Sequence, residues 1–69
     1  MTRAELFNRG EALAEFWAQG DRRTVLDGIL IHPAPVAASL AVIVSCELDQ
    51  LFNEGPLFRS ALADRACGQ

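Results

Sequence analysis

The chain has 69 residues, a mass of 7.5 kDa and a formal net charge of −3, with 51% hydrophobic and 22% charged residues. This length predicts a single domain over residues 1–69, and a chain so short buries only about 60% of its unfolded surface, so its core is marginal. The composition is too apolar for a disordered chain, and two cysteines are too few for a disulfide scaffold. The acidic pI of 4.8 argues against direct nucleic-acid binding through phosphate contacts.

The first segment has the pattern of an amphipathic helix that begins with a capping box. Thr2 and Glu5 stand three residues apart, so each side chain can accept from the other residue's backbone N–H. Gly20 is the natural residue to end this helix. Phe7 and Phe16 flank the main apolar stripe, which predicts that one flank contacts something beyond a small intramolecular core. That stripe consists of Leu6, Gly10, Leu13 and Trp17.

A second, shorter helix is predicted to start at Asp21, whose carboxylate can cap it. Arg22 and Arg23 fall in its first turn, where cations oppose the helix dipole, so we expect an acidic side chain from elsewhere beside them. Segment 24–31 is ambiguous, because its Ile-Leu-Ile run also suits a β-strand. His32 ends the element, since the residue before a proline avoids the helical conformation.

The third element is predicted to be a helix that has Pro35 in its first turn and runs to about Asn53. Its first half is apolar almost all round, which is typical of a central, buried helix. The alternative is a strand over 40–46 that forms a hairpin with 24–31, because its middle is a β-branched Val-Ile-Val run. The amphipathic continuation to Phe52 favours the helix.

A last helix is predicted after Gly55 and Pro56, which form a stop-and-turn signal, and it is expected to end near Gly68. The predicted fold class is therefore all-α, a small bundle of three to four short helices. The alternative is an α+β fold that contains the hairpin described above. The apolar positions of the last helix are Leu57, Phe58, Ala61, Leu62 and Ala66.

The sequence lacks the residue patterns of an enzyme, a metal site or a cofactor site. His32 is the only histidine, and Cys46 and Cys67 are expected to be unbridged and buried as small hydrophobes. These three candidate ligands have no paired spacing, whereas a structural zinc site takes four. The glycines are scattered, so no phosphate-binding loop is indicated. We expect no catalysis, no metal and no cofactor.

Residues 28–46 carry no formal charge, and the sequence Ile43-Val44-Ser45-Cys46 looks like a lipoprotein cleavage box. Against export, five acidic residues precede this segment, whereas a signal peptide opens with a short basic region. Pro33 and Pro35 leave only 36–46 as a continuous apolar run, too short to span a bilayer. The expectation is a cytoplasmic protein without membrane contact.

An acidic cluster near the end of the third helix is the first feature that indicates binding of another macromolecule. Its members are Glu47, Asp49 and Glu54, whose charge equals the net charge of the chain. Carboxylates near a helix C-terminus oppose the dipole. They either pair with arginines across a turn or form a recognition patch for a basic partner surface, with Leu51 or Phe52 as the apolar anchor.

A surplus of large apolar groups is the second feature, because three or four short helices cannot readily hide them all. Aromatic residues are typical anchors at interfaces. Either all the aromatic side chains pack in one core, or some form a homodimer seam or a groove for a different partner. The aromatic residues are Phe7, Phe16, Trp17, Phe52 and Phe58.

The predicted function is a small acidic, non-catalytic protein–protein interaction module that acts as an inhibitor, neutraliser or adaptor, of the kind encoded by bacterial mobile elements and phages. The alternatives are a structural homo-oligomer subunit and a DNA mimic that blocks a nucleic-acid-binding site. The predicted partner is a protein with a basic surface. The predicted contact residues are Glu47, Asp49, Glu54, Leu51, Phe52, Phe16 and Phe7.

Overall fold

The computed structural model describes residues 2–67, which form four α-helices and no strand in that range. The predicted all-α fold is confirmed, and the alternative with a hairpin over 24–31 and 40–46 is wrong. The β-branched run adopts a helix because helical spacing places Leu40, Val44 and Leu48 on one fully buried stripe. The helices are α1 (Arg3–Ala18), α2 (Arg22–Leu30), α3 (Ala34–Leu51) and α4 (Gly55–Cys67).

Both ends of α1 follow the signals in the sequence. The Thr2 hydroxyl accepts from the Glu5 backbone N–H at 3.1 Å, and the Glu5 carboxylate reaches back to Thr2 to complete the capping box. At the other end Gly20 has a φ of +95°, and two backbone hydrogen bonds of 3.0 Å run back to the carbonyls of Phe16 and Trp17. This is a Schellman motif, which needs a left-handed residue at the position of Gly20.

Two helix boundaries differ from the predictions. α3 begins at Ala34 and has Pro35 in its first turn, as predicted. It ends at Leu51 rather than Asn53, because Asn53 has a φ of +56° and this left-handed conformation stops the helix. α4 begins at Gly55, so the predicted stop signal is the first turn of the helix. The predicted end near Gly68 lies outside the described residues.

α3 lies between α1 and α4, and α2 packs against all three on one side. The molecule is therefore a slab of 29 × 27 × 17 Å, with one layer of three helices and a second layer formed by α2. The core fills the space between the layers. Its fully or nearly buried hydrophobic residues are Ala14, Trp17, Val25, Leu26, Ile29, Leu40, Val44, Leu48 and Phe58.

The prediction that α3 is central is correct, but the prediction that it is buried is wrong for its outer side. Val42 is 62% exposed, because none of the described helices packs on the face of α3 opposite α2. The predicted apolar stripe of α1 does face the core: Gly10 and Trp17 are buried, and Leu6 and Leu13 are half-buried against it.

Candidate functional site

Residues from three helices and a turn meet around Trp17 at one end of the molecule. The indole N–H of Trp17 donates to the Glu54 carboxylate at 3.2 Å. The Phe58 ring meets the indole edge-on, with centroids 5.3 Å apart. The Arg22 guanidinium lies 4.9 Å from the centre of the indole and 3.5 Å from the Glu54 carboxylate. Arg22 thus has the acidic neighbour that its place in the first turn of α2 predicted.

Asp49 forms a second contact between α3 and α4. Its carboxylate accepts from Arg59 at 3.4 Å, and Arg59 also donates to the buried Ser45 hydroxyl. The same carboxylate packs closely against Gly55 at the N-terminus of α4, where negative charge is favoured by the helix dipole. The sequence predicted only the unfavourable dipole of α3, whereas the turn brings Asp49 to the favourable end of the next helix.

The three predicted acidic residues do not form one patch. Glu54 and Asp49 each form an ion pair with an arginine, which was one of the two outcomes that the sequence left open. Glu47 stands about 200° from Asp49 around α3, at 100° per residue, so the two carboxylates face opposite sides of the helix. Within the described residues Glu47 forms no ion pair.

Most of the surplus apolar groups are exposed. Among the aromatic residues only Trp17 and Phe58 are buried, so the alternative in which all five share one core is wrong. Exposed apolar groups of this size are typical of an interaction surface when they lie together. The exposed large hydrophobic residues are Phe7, Phe16, Leu30, Ile31, Val42, Leu51, Phe52 and Leu57.

Four of these side chains lie at the end of the molecule where Trp17 meets Glu54. Phe16 precedes Trp17 in α1, Leu51 and Phe52 stand two or three residues before Glu54, and Leu57 lies in the first turn of α4. The hydrogen bond between Trp17 and Glu54 brings these segments to the same end. We call the four exposed residues the Trp17-end surface: Phe16, Leu51, Phe52 and Leu57.

Phe7 lies elsewhere, on the flank where α1 meets α3. Together with Val42 and Ile43 it lines an open groove of about 470 Å³, and Arg3 and Ser39 lie at the same groove. The structure therefore separates Phe7 from the other predicted contact residues and places it beside the exposed side of α3.

A larger groove between α3 and α4 was not predicted. It has a volume of about 550 Å³, and its α3 wall consists of Ala34, Ala37, Ala38 and Ala41. His32 and Arg59 also line it, and Arg59 is engaged with Asp49 and Ser45. The alanines of α3 could be read from the sequence, but their spacing does not predict that α4 leaves a groove on this side of α3.

The two cysteines are free, as expected, but the prediction that they are buried is wrong. Both Cys46 and Cys67 are exposed. Cys46 lies one helical turn after Val42, on the side of α3 that no helix covers. Its exposure follows from this position and not from the polarity of the thiol. Within residues 2–67, no group of three or more metal-ligating side chains comes together.

The sequence suggested that the apolar run over 36–46 is too short to span a bilayer, but this argument does not hold for the helix that contains it. α3 has 18 residues, because Pro35 lies in its first turn and does not interrupt it, and it is long and apolar enough to cross a membrane. A helix at the centre of a soluble protein meets the same criterion.

Comparison with protein families, with curated proteins and with solved structures finds no match to this chain.

Proposed function

We propose that this protein is a small, non-catalytic interaction module that binds another protein and acts as an inhibitor, neutraliser or adaptor. The observation that carries this proposal is the Trp17-end surface, where four large, exposed apolar residues of a 69-residue chain lie at the same end of the molecule. Large exposed apolar groups are typical of interaction surfaces, and aromatic side chains are frequent anchors in them.

The contacts beneath this surface support a binding role. Phe16 is joined in sequence to the buried Trp17, and Phe52 lies close to Glu54, which accepts the indole N–H. The backbone that carries the exposed side chains is therefore held by a buried cluster. A surface already held in its binding conformation loses less entropy on association, so the same contacts give a higher affinity.

The charge of the chain supports a partner with a basic surface. Asp49 and Glu54 are paired with arginines, so we assign them a role in holding the turn before α4 rather than direct recognition. Glu11 and Glu15 are exposed four residues apart on one face of α1, and Glu47 is half-buried on α3. These three carboxylates would steer the approach of a basic partner. The proposed location of the protein is the cytoplasm.

A DNA mimic is less well supported. Such a protein needs acidic groups displayed at the surface, and three of the nine acidic residues, Asp27, Asp49 and Glu54, form ion pairs with arginines. A net charge of −3 leaves little field to imitate a duplex.

Affinity capture with matched variants tests the proposed function. The Phe16→Ser/Phe52→Ser double variant removes both exposed rings, and Ile31→Ser is the control, because Ile31 is 81% exposed at the opposite end of α2. We expect a protein captured from the source cell by the wild type and by Ile31→Ser to be lost with the double variant. Helicity by circular dichroism must be equal in all three. If all three capture the same proteins in the same amounts, the Trp17-end surface is not the binding site.

A further inference from the structure

A small pocket opens where α1, α2 and α3 meet, and it has a volume of about 210 Å³. Its floor is apolar, because Leu40 is fully buried and Leu13 is half-buried against the core. Arg9 is exposed at its edge, and His32 is half-buried. We call this cavity the Gly28 pocket, and its lining residues are Arg9, Ala12, Leu13, Gly28, His32 and Leu40.

Gly28 is the residue of this pocket that the fold itself does not require. A glycine inside a helix lowers stability relative to alanine. Gly28 lies within α2 and its φ is not positive, so the backbone conformation would suit any residue. A Cβ at this position would meet only the Leu13 side chain at 3.4 Å, an ordinary contact, whereas a Cβ on Gly10 would overlap Ile43. A residue that lowers stability and keeps a cavity open is typical of a binding site.

Arg9 brings a positive charge to the pocket, and no ion pair in the described part of the chain includes it. Glu5, four residues earlier on α1, is turned to Thr2 in the capping box. Asp27, the only acidic residue within α2, pairs with Arg65 at 2.5 Å. The acidic side chains of the two neighbouring helical turns are therefore engaged elsewhere, and the guanidinium of Arg9 keeps its charge and its donors for a ligand.

His32 adds a second donor, since an imidazole ring carries at least one N–H in either protonation state. This residue follows the end of α2 and precedes α3, so the dipoles of the two helices oppose each other here and the charge of Arg9 sets the sign of the pocket. The larger groove between α3 and α4 lacks such a free cation, because its Arg59 is engaged with Asp49 and Ser45.

We propose that the Gly28 pocket binds a small aliphatic carboxylate. Arg9 and His32 hold the carboxylate group, and the aliphatic chain packs on Leu13 and Leu40 in the space that Gly28 leaves open. A guanidinium matches a carboxylate with two parallel hydrogen bonds.

The shape of the pocket agrees with this class of ligand. An apolar floor with a few convergent polar groups is the usual arrangement of a small-molecule site. Sites for drug-sized ligands measure about 300–1,000 Å³, so the smaller volume here limits the ligand to a few carbon atoms. None of the lining residues belongs to the Trp17-end surface, so this inference does not rest on the proposed function and each can fail separately.

Titration with butyrate, followed by ¹H–¹⁵N correlation spectra of the full chain, tests the site. We expect saturable shifts of the Gly28 and His32 amide signals, with a Kd of about 1 mM, because so small a ligand makes few contacts. Three probes are controls: 1-butanol and butylammonium have the same chain without the negative charge, and inorganic phosphate has the charge without the chain. Shifts of the same size with any of the three, or none with butyrate up to about 100 mM, overturn the proposal.

Matched variants separate the charge from the space. Arg9→Gln keeps a polar side chain without the charge, and it should raise the Kd for butyrate at least about tenfold. Arg23→Gln removes the same charge from an exposed arginine that does not line the pocket, so its Kd should equal that of the wild type.

Gly28→Leu should abolish binding, because its side chain occupies the pocket while leucine favours the helix. Circular dichroism must show the wild-type helicity in each variant, and if Gly28→Leu does not fold, the comparison of the two arginine variants decides. Wild-type affinity in Arg9→Gln, or butyrate binding by a folded Gly28→Leu, contradicts the proposed site.

Discussion

The side chain of Glu54 contacts two groups that are both far from it in the sequence. It accepts the indole N–H of Trp17, which is 37 residues away, and it pairs with the Arg22 guanidinium at 3.5 Å. Because Trp17 is buried, its N–H has lost water and needs an acceptor. The pair with Arg22 is half-exposed, and such pairs contribute about 0–1 kcal/mol. We infer that Glu54 acts mainly as a hydrogen-bond acceptor and less through its charge.

Two substitutions at Glu54 separate these roles. Glu54→Gln keeps an acceptor oxygen and removes the charge, so the free energy of unfolding should fall by less than about 1 kcal/mol. Glu54→Met keeps the length of the side chain but leaves the indole N–H unpaired, which should cost about 1–3 kcal/mol. Urea unfolding followed by tryptophan fluorescence measures both. Equal losses for the two variants would show that the charge, not the acceptor, stabilises the fold.

At the scale of the elements, the close approach of α1 and α3 depends on Gly10. A glycine in the interior of a helix is less stable than alanine by about 1 kcal/mol, so its presence needs a reason in the packing. A Cβ built on Gly10 would lie 2.9 Å from the Cβ of Ile43 and closer still to its Cγ2. Contact at that distance requires the helices to move apart, because β-branched Ile43 has few rotamers that turn its side chain away.

Gly10→Ala should therefore destabilise the protein, by about 1–3 kcal/mol, although alanine favours the helix itself. Gly28→Ala is the matched control in α2: its Cβ would meet only the Leu13 side chain at 3.4 Å, an ordinary contact. That change should stabilise the protein by up to about 1 kcal/mol. Chemical denaturation of both variants measures the difference. If Gly10→Ala is as stable as Gly28→Ala, α1 and α3 do not need their close contact.

At the scale of the whole molecule, a small core carries the stability. Nine hydrophobic residues are buried among the described ones, and eight large hydrophobic residues are exposed. Phe58 is fully buried and connects α4 to Trp17 in α1, two helices that do not otherwise pack together. At about 0.05–0.15 kcal/mol per residue, a chain of this length has a total stability of roughly 3–10 kcal/mol.

Phe58→Ala should remove most of this stability, since truncating a buried phenylalanine costs about 3–5 kcal/mol. We expect its thermal transition to become broad or disappear, together with the near-UV circular dichroism of Trp17. Leu57→Ala, at the neighbouring exposed position, should unfold cooperatively with a midpoint close to that of the wild type. A sharp transition in Phe58→Ala would mean that α4 is not part of the cooperative unit.

The helices themselves could be predicted from the sequence, because their signals act over a few residues. The capping box at Thr2, the left-handed Gly20 and the cap at Asp21 each involve groups within five positions of one another. The end of α3 was placed two residues late, since an asparagine at position 53 adopts the left-handed conformation less often than glycine and is a weaker signal.

Only the tertiary structure decided the roles of the acidic residues and which sides of α3 are buried by the other helices. Glu54 finds its partner 37 positions away, and no local pattern specifies a contact of that range. Periodicity showed that the first half of α3 is apolar almost all round, but only the arrangement of the other three helices determined that Val42 and Cys46 face water. The physical reason is that hydrophobic spacing describes what a face can bury, whereas burial itself depends on which other element is present to cover that face.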